Sequence, residues 1–452
     1  MSNVRQFLFF SLLLFSICSC KNGSDKSPEL NSGDISKVIG EMTDLMIHDV
    51  TNPPLAGRFY SYALLSGYEV VAQNDSACIS MKGILNDYPD IVKPVNPGIY
   101  NYQVSAILAM IETAKKMQPS GTLLEKYEQR FIDSCLKIGF SGEVIENSKT
   151  YAQQISKQIL AYAKADRYNR ISNYIRYTPL NKEGNWYPTP PGYFPPVEPY
   201  FNTVRPFMLD TCSQFKPVPP VAFSKDKNSA FFKMMTEVYI EGGTGLTDEH
   251  RAIAAFWDCN PFALRNEGHL LVGMKKISPG AHWMGITGIA CSKSKVKFSR
   301  AMEINTVVAV GLMDSFIACW DEKFRSNRMR PETAIRLYID PNWIPLLQTP
   351  PFPEYLSGHS SISSTSSFIL THYFGDNYHY KDDVEEKYGL PARSFTSFKQ
   401  AADEAAISRY WGGIHFMDAI ENGKVQGLQV GEWIVGKLEK KRTILSGNKI
   451  VL

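Results

Sequence analysis

The sequence has no long basic run, no Cys-x-x-Cys pair and no internal repeat. Lys+Arg 48 against Asp+Glu 45 leaves a formal net charge of only +3, which gives no electrostatic case for a nucleic-acid partner. The cysteines after residue 20 lie far apart, which argues against a zinc or iron–sulfur site, and we expect most to be buried as small apolar side chains. The other histidines, His282 among them, have no spacing that demands a metal.

Long apolar runs are also missing after the first 20 residues, so we expect the body of the protein to be soluble. Residues 1–20 themselves combine Arg5, an apolar stretch and Ile17-Cys18-Ser19-Cys20. This segment resembles a bacterial lipoprotein signal. The resemblance implies cleavage before Cys20, lipidation of that thiol and export to the periplasmic or cell-surface side, with membrane attachment by the lipid anchor only. An ordinary secretory signal, cut slightly later, is the alternative.

Helical periodicity dominates the chain beyond the polar, flexible tether predicted over 21–33. Apolar residues recur at spacings of three and four from Asp34 onward, which is typical of amphipathic helices. The further predicted helices cover 57–74, 98–117, 123–138, 143–167, 227–240, 247–258, 298–322, 359–373, 396–409 and 413–438. No run of alternating strands is present. We therefore predict a mainly α fold, a single large helical-bundle domain with an N-terminal helical half (34–223) and a C-terminal region (224–440) carrying the site.

Residues 178–223 break this pattern because they are dense in proline, which removes backbone donors and fixes φ. An irregular segment of this length inside a compact domain usually has a function or wraps the surface. Its many aromatic residues, from Trp186 to Phe207, predict that it packs onto the body as a cover over the two helical halves.

Three short segments near predicted helix ends carry the residues with chemical potential. Lys323 and Arg330 stand where the long helix 298–322 runs out, and Ser357-Gly358-His359 opens the next helix. Arg409 ends a later helix, and His415 lies beyond it across Gly412-Gly413.

These residue types suit an anion with several oxygens. A hydroxyl and a bare backbone N–H at a helix start favour negative charge, and each arginine offers a planar fork for two oxygens. Lys323 adds a point charge. His359 and His415 supply a general acid or base and a nitrogen ligand or nucleophile near neutral pH.

Lys-x6-Arg-Pro, Ser-Gly-His and Ser-Arg-x5-His in this order resemble the motif set of the type 2 phosphatidic acid phosphatase and vanadium-dependent haloperoxidase superfamily, in its bacterial haloperoxidase-related lipoprotein branch. The resemblance implies that His415 is the axial ligand of vanadate, or the nucleophile that attacks phosphorus. It implies that His359 is the acid or base. It assigns the vanadate oxygens to Lys323, Arg330, Ser357, Gly358 and Arg409.

Trp320 and Phe352 resemble the aromatic residues on the halide side of vanadium chloroperoxidases, with ordinary core packing as the alternative. The chain departs from the family pattern twice. Leu356 replaces the usual proline before Ser-Gly-His, and Ala419 replaces the aspartate that usually orients the histidine four residues earlier. Asp418 could substitute for that aspartate, because positions i+3 and i+4 share a helix face.

The resemblance implies three alternative functions. The first is a vanadium-dependent haloperoxidase-like enzyme that oxidises a halide with hydrogen peroxide at a His415-bound vanadate. The second is an acid phosphatase, with a phosphate ester as substrate and no metal cofactor, acting through a phosphohistidine. The third is a non-catalytic oxyanion-binding lipoprotein.

Overall fold

The computed structural model describes residues 28–267 and 269–445, without the side chains of residues 266 and 267. The predicted signal peptide, its lipidation site Cys20 and most of the tether lie outside these residues. The mainly α prediction is confirmed. The α-helices of the described chain are α1 (Ser32–His48), α2 (Pro53–Ala72), α3 (Tyr102–Met117), α4 (Glu125–Lys137), α5 (Gly142–Lys164), α6 (Ala230–Glu241), α7 (Asp248–Phe256), α8 (Pro279–Lys293), α9 (Phe298–Ser326), α10 (Pro331–Tyr338), α11 (Gly358–Phe374), α12 (Phe398–Trp411) and α13 (Met417–Leu445).

Two of these helices, α8 and α10, were not predicted. Helix α8 is buried on nearly every face and rich in small residues, so it has no amphipathic stripe to reveal it. Helix α10 is only 8 residues long. Two small antiparallel hairpins also occur in the described chain, formed by β1 (Leu264–Glu267) with β2 (Leu270–Gly273) and by β3 (Tyr380–Asp382) with β4 (Arg393–Phe395).

Helix α9 is the centre of the bundle and packs against α2, α8, α11 and α13. It is long and apolar enough to cross a membrane, but its most apolar window is 100% buried inside the protein, as in the core helix of a soluble bundle. One cluster of buried apolar residues runs from Leu30 to Leu438. Helices from both predicted regions therefore share this core, and α9 carries Trp320 and Lys323, both buried, near its C-terminal end.

The packing of α13 against α11 depends on glycine. A Cβ added at Gly427 would lie 2.1 Å from the carbonyl oxygen of Ser361, and one added at Gly423 would lie 3.0 Å from that of Ser357. Such close backbone approach is possible only without a side chain. It fixes the N-terminal turn of α11, where Ser357 and Gly358 lie, against the first turns of α13.

The proline-rich segment is irregular, as predicted, apart from a short 3-10 turn at Phe201–Thr203. It is tied to α9 because the backbone N–H groups of Phe207, Met208 and Leu209 donate to the buried carboxylate of Asp314, at 2.6, 2.6 and 3.0 Å. Trp186 and Phe207 are buried, whereas Tyr193 is exposed, so only part of its aromatic surface packs onto the body. The six cysteines in the described chain are free, and all but Cys212 are buried.

Candidate active site

Arg330 and His415 meet in the interior. Arg330 is the residue before α10 and is fully buried, while His415 lies in the short connection between α12 and α13. Arg330 Nη1 lies 3.0 Å from His415 Nε2 and donates to the carbonyl of Ile414, and Arg330 Nε donates to the carbonyl of Phe352. The two motif residues are thus held together although 85 positions separate them.

The carboxylate beside His415 is Glu354, which no sequence motif had marked. Its Oε1 lies 2.8 Å from His415 Nδ1 and also accepts from the backbone N–H of Phe416. Nδ1 therefore carries the ring proton and donates a hydrogen bond to Glu354. Nε2 keeps its lone pair, facing Arg330, which has only donors.

The expectation for Asp418 is corrected by this arrangement. Asp418 forms a bidentate pair with Arg328, with both N–O distances 2.6 Å, and accepts from the backbone N–H of Val221. Arg328 Nε in turn donates to Glu354 Oε2 at 2.7 Å. Asp418 therefore faces Arg328 and not the imidazole of His415. Any effect of Asp418 on His415 must pass through the side chains of Arg328 and Glu354. The Ala419 backbone carbonyl meanwhile accepts from the N–H of Ser357.

Lys323 is fully buried near the C-terminal end of α9. Its Nζ donates to the carbonyls of Pro353 and Glu354, each at 3.1 Å, and to the carbonyl of Leu356. These three carbonyls belong to the loop that leads into Ser-Gly-His, so Lys323 holds that loop against α9. Burial, together with the positive charge of the neighbouring Arg330, lowers the pKa of Lys323 to about 7.

Ser357 is the N-cap of α11, and its Oγ accepts from the backbone N–H of Ser360. Its hydroxyl proton and the N–H of Gly358, in the first turn, are not used by the helix. His359 comes next on the same turn. Burial lowers the pKa of His359 well below its ordinary value, and Arg409 and His415 lower it further, so this ring is neutral.

Arg409 approaches from α12 and is almost completely buried. Its Nη1 donates to the carbonyl of Trp257 at 2.8 Å, and its Nη2 lies 3.8 Å from Asp258. The segment after α7 therefore positions Arg409, a role that no spacing in the sequence had indicated. Burial lowers the pKa of Arg409 and lowers that of Arg330 to about 9.

Residues from several of these elements line one pocket. Its wall includes six of the predicted residues, namely Trp320, Phe352, Gly358, His359, Arg409 and His415. The rings of Trp320 and Phe352 lie 4.9 Å apart, and the Trp320 indole N–H donates to the carbonyl of Val197 in the proline-rich segment. The pocket therefore has an aromatic side and a polar side formed by His359, Arg409 and His415, and Arg330 reaches it through its contact with His415.

Three buried polar atoms here have no hydrogen-bond partner among the described residues: Arg330 Nη2, Arg409 Nε and His359 Nε2. Buried donors are almost always satisfied in folded proteins. Three such atoms at or beside one pocket wall, on side chains whose pKa values are lowered by burial, fit an oxyanion that accepts from the two guanidinium groups and balances their charge. The residues present therefore fit vanadate.

Comparison with known proteins identifies the family. The family model for the VCPO second helical-bundle domain matches residues 303–443, which include all seven motif residues. A crystal structure of a bacterial vanadium-dependent iodoperoxidase is 41% identical in sequence, with a TM-score of 0.86 over 91% of this chain and 98% of that one. The protein belongs to the vanadium-dependent haloperoxidases.

Bacterial vanadium-dependent chloroperoxidases share the haloperoxidase fold at lower identity. An apo-type structure has 16% identity and a TM-score of 0.65, covering 86% of this chain and 95% of that one. A holo-type structure has 15% identity and a TM-score of 0.63, covering 86% and 93%. No curated protein matches the sequence at a significant level. As a haloperoxidase, the protein is an enzyme of the peroxidase type.

Proposed function

We propose that this haloperoxidase binds vanadate at His415 and oxidises a halide with hydrogen peroxide, and that iodide is its preferred halide. The observation that carries the proposal is the convergence of unpartnered buried polar atoms of Arg330, Arg409 and His359 at or beside the pocket that His415 lines. The choice of iodide rests on the iodoperoxidase at 41% identity. Bound vanadate supplies a Lewis acid that activates peroxide toward the halide.

His415 suits the role of nitrogen ligand because its tautomer is fixed. Glu354 accepts a hydrogen bond from Nδ1. The lone pair on Nε2 would be available when Arg330 Nη1 donates to an oxyanion oxygen and no longer to Nε2. Burial lowers the pKa of His415 well below its ordinary value, and the nearby Arg330 and Lys323 lower it further. A neutral imidazole is the form that binds a metal.

Arg330, Arg409 and the start of α11 are suited to hold the oxyanion oxygens. Arg330 Nη2 and Arg409 Nε have hydrogen bonds to give, and the Ser357 hydroxyl and Gly358 N–H add uncharged donors at a helix N-terminus. Lys323 acts differently from the family expectation, since its three N–H groups already bind loop carbonyls. We assign it a positioning role, with a long-range positive charge in its protonated form, below about pH 7. Direct contact with an oxyanion requires Lys323 to release one carbonyl.

His359 is suited to accept or donate a proton at Nε2, which is buried and unpartnered beside the pocket. Trp320 and Phe352 form the apolar wall nearby, a surface suited to a large, weakly hydrated anion such as iodide. Their packing keeps bulk water away from His359 and the cations, which strengthens every electrostatic interaction in the pocket.

The proposal is tested by two assays on the purified protein after incubation with orthovanadate. We expect iodide oxidation that depends on both peroxide and vanadate, with little hydrolysis of p-nitrophenyl phosphate. The control is the same protein without vanadate. Phosphate ester hydrolysis without iodide oxidation would instead mark a phosphatase, and vanadate binding without either reaction would mark an oxyanion-binding protein.

Export and lipid anchoring through Cys20 are also part of the proposal, supported by the pattern of residues 1–20. Expression in a bacterial host with a labelled fatty acid should label the wild-type chain and not Cys20→Ala. Labelling of neither protein, with secretion of both, would favour an ordinary secretory signal.

A further inference from the structure

A second group of side chains of types that bind metals lies next to the oxyanion pocket and has no role in the proposed vanadate chemistry. Cys259 comes after α7, His282 lies in the first turns of α8, and Glu385 comes after β3. They are 2%, 0% and 6% exposed, so all three are buried. Their separations in sequence, 23 residues from Cys259 to His282 and 126 from Cys259 to Glu385, explain why no local spacing reveals them.

The three candidate ligand atoms form a compact triangle. Cys259 Sγ lies 3.5 Å from His282 Nδ1 and 3.8 Å from Glu385 Oε1, and the nitrogen and oxygen are 3.5 Å apart. Zinc bonds of about 2.3 Å to sulfur and about 2.0–2.1 Å to nitrogen or oxygen, at tetrahedral angles, separate neighbouring ligand atoms by roughly 3.3–3.6 Å. The triangle is therefore close to one face of a zinc tetrahedron, with only the sulfur–oxygen edge slightly long.

The other nitrogen of His282 is held as in known zinc sites. His282 Nε2 lies 2.9 Å from Asp382 Oδ2, and Asp382 is itself fully buried. The indole of Trp257 stacks on the imidazole with ring centroids 4.5 Å apart. A carboxylate on the far nitrogen of a ligating histidine fixes its tautomer and aims the other nitrogen at the metal. Here that second nitrogen is Nδ1, which faces Cys259 and Glu385.

Charge favours a cation in this cluster. Two buried carboxylates, Asp382 and Glu385, flank one imidazole, and buried charges are costly unless they are paired. A divalent cation offsets the charge of these carboxylates, and the thiol proton that Cys259 loses on binding the cation goes to solvent.

We propose that Cys259, His282 and Glu385 bind Zn²⁺, with a solvent molecule as fourth ligand, at a site that adjoins the vanadate pocket. The mixed thiolate, imidazole and carboxylate set suits zinc better than magnesium or calcium, which take oxygen ligands. The site fixes residues 257–260 to α8. Its consequence for the pocket is positional, because the Trp257 carbonyl and Asp258 both face Arg409, and Cys259 lines the pocket.

The test measures bound zinc on the full-length protein after equilibration with zinc and dialysis. Vanadate is left out of the buffer, and the absence of vanadium is checked separately. We expect about one zinc per wild-type chain, and zinc affinity at least about tenfold weaker in Cys259→Ser and in Glu385→Gln. Cys291→Ser is the matched control, since Cys291 is also a buried free thiol but lies outside the cluster. It should keep the wild-type zinc content.

Cobalt gives a second readout, whose wild-type arm does not depend on the folding of any variant. Wild-type protein loaded with Co²⁺ should show thiolate-to-cobalt charge-transfer absorption, which Cys259→Ser loses and Cys291→Ser keeps. Wild-type chains without stoichiometric zinc and without this absorption would overturn the proposal, as would equal zinc content in all variants. Since no halide assay is involved, the outcome is independent of the proposed haloperoxidase activity.

Discussion

Glu354 Oε1 lies 2.8 Å from His415 Nδ1, and both side chains are buried. This contact replaces the Asp418 contact expected from the sequence. Glu354 also binds Arg328, and Arg328 binds Asp418. The imidazole of His415 is therefore in direct contact with Glu354 and is separated from Asp418 by two side chains. The charge and tautomer of His415 should therefore depend strongly on Glu354 and weakly on Asp418.

Glu354→Gln tests that order. The amide keeps an acceptor for His415 but removes the negative charge, so we expect vanadate affinity or halide oxidation to fall by about 10–100-fold. Asp418→Asn should lose less, since Arg328 keeps its contact with Glu354. Vanadate titrations of both variants, with the fold checked by circular dichroism, measure the difference. A larger loss in Asp418→Asn than in Glu354→Gln would contradict the assignment.

Lys323 should make stability depend on pH. Its folded pKa of about 7 lies well below the ordinary lysine value, so above pH 7 the unfolded chain holds a proton that the folded chain has released. The free energy of unfolding must then rise with pH from about 7 toward about 10. Vanadate-free wild type and Lys323→Met, unfolded with urea at several pH values, isolate this contribution. The free energy of unfolding of the wild type should increase relative to that of Lys323→Met as pH rises. A difference that does not change with pH would exclude the lowered pKa of Lys323.

Glycine substitutions on α13 test the close approach to α11. Gly427→Ala places a Cβ 2.1 Å from the Ser361 carbonyl, so we expect destabilisation by about 1–3 kcal/mol or more. The helix must also shift the turn that carries Ser357, which lowers activity. Gly436→Ala is the control on the same helix, because nothing lies within 4 Å of its new Cβ. It should raise stability by up to about 1 kcal/mol. Thermal unfolding of both variants measures the difference. Equal shifts in Tm would contradict the close packing of α13 against α11.

Trp320→Phe tests the aromatic wall. The change removes the indole donor to Val197 and part of the pocket surface but leaves Arg330, Arg409 and His415 intact. We expect the KM for iodide to rise several-fold while the Kd for vanadate stays near the wild-type value. Steady-state kinetics at saturating vanadate separates the two. Equal changes in both constants would assign Trp320 to packing alone.

Sequence reasoning predicted the long helices from apolar residues at helical spacing or, for α9, from a mostly apolar stretch. It predicted the motif residues because their order matches a family pattern. It missed α8, whose sequence is apolar or small on every face and so has no helical period. It also missed Glu354 and Arg328, since a buried ion pair is set by tertiary contacts that local spacing does not encode. For Lys323 it predicted the position but not the loop carbonyls that occupy its three N–H groups.

Vanadate titration of His415→Ala beside wild type, with bound vanadium and iodide oxidation measured together, tests the central claim most directly. We predict saturation at about one vanadium per wild-type chain with activity rising in parallel, and loss of that activity in the variant while its helical content is unchanged. Wild-type iodide oxidation in the variant, or activity in the wild type that does not depend on vanadate, would contradict the assignment of His415 Nε2 as the ligand.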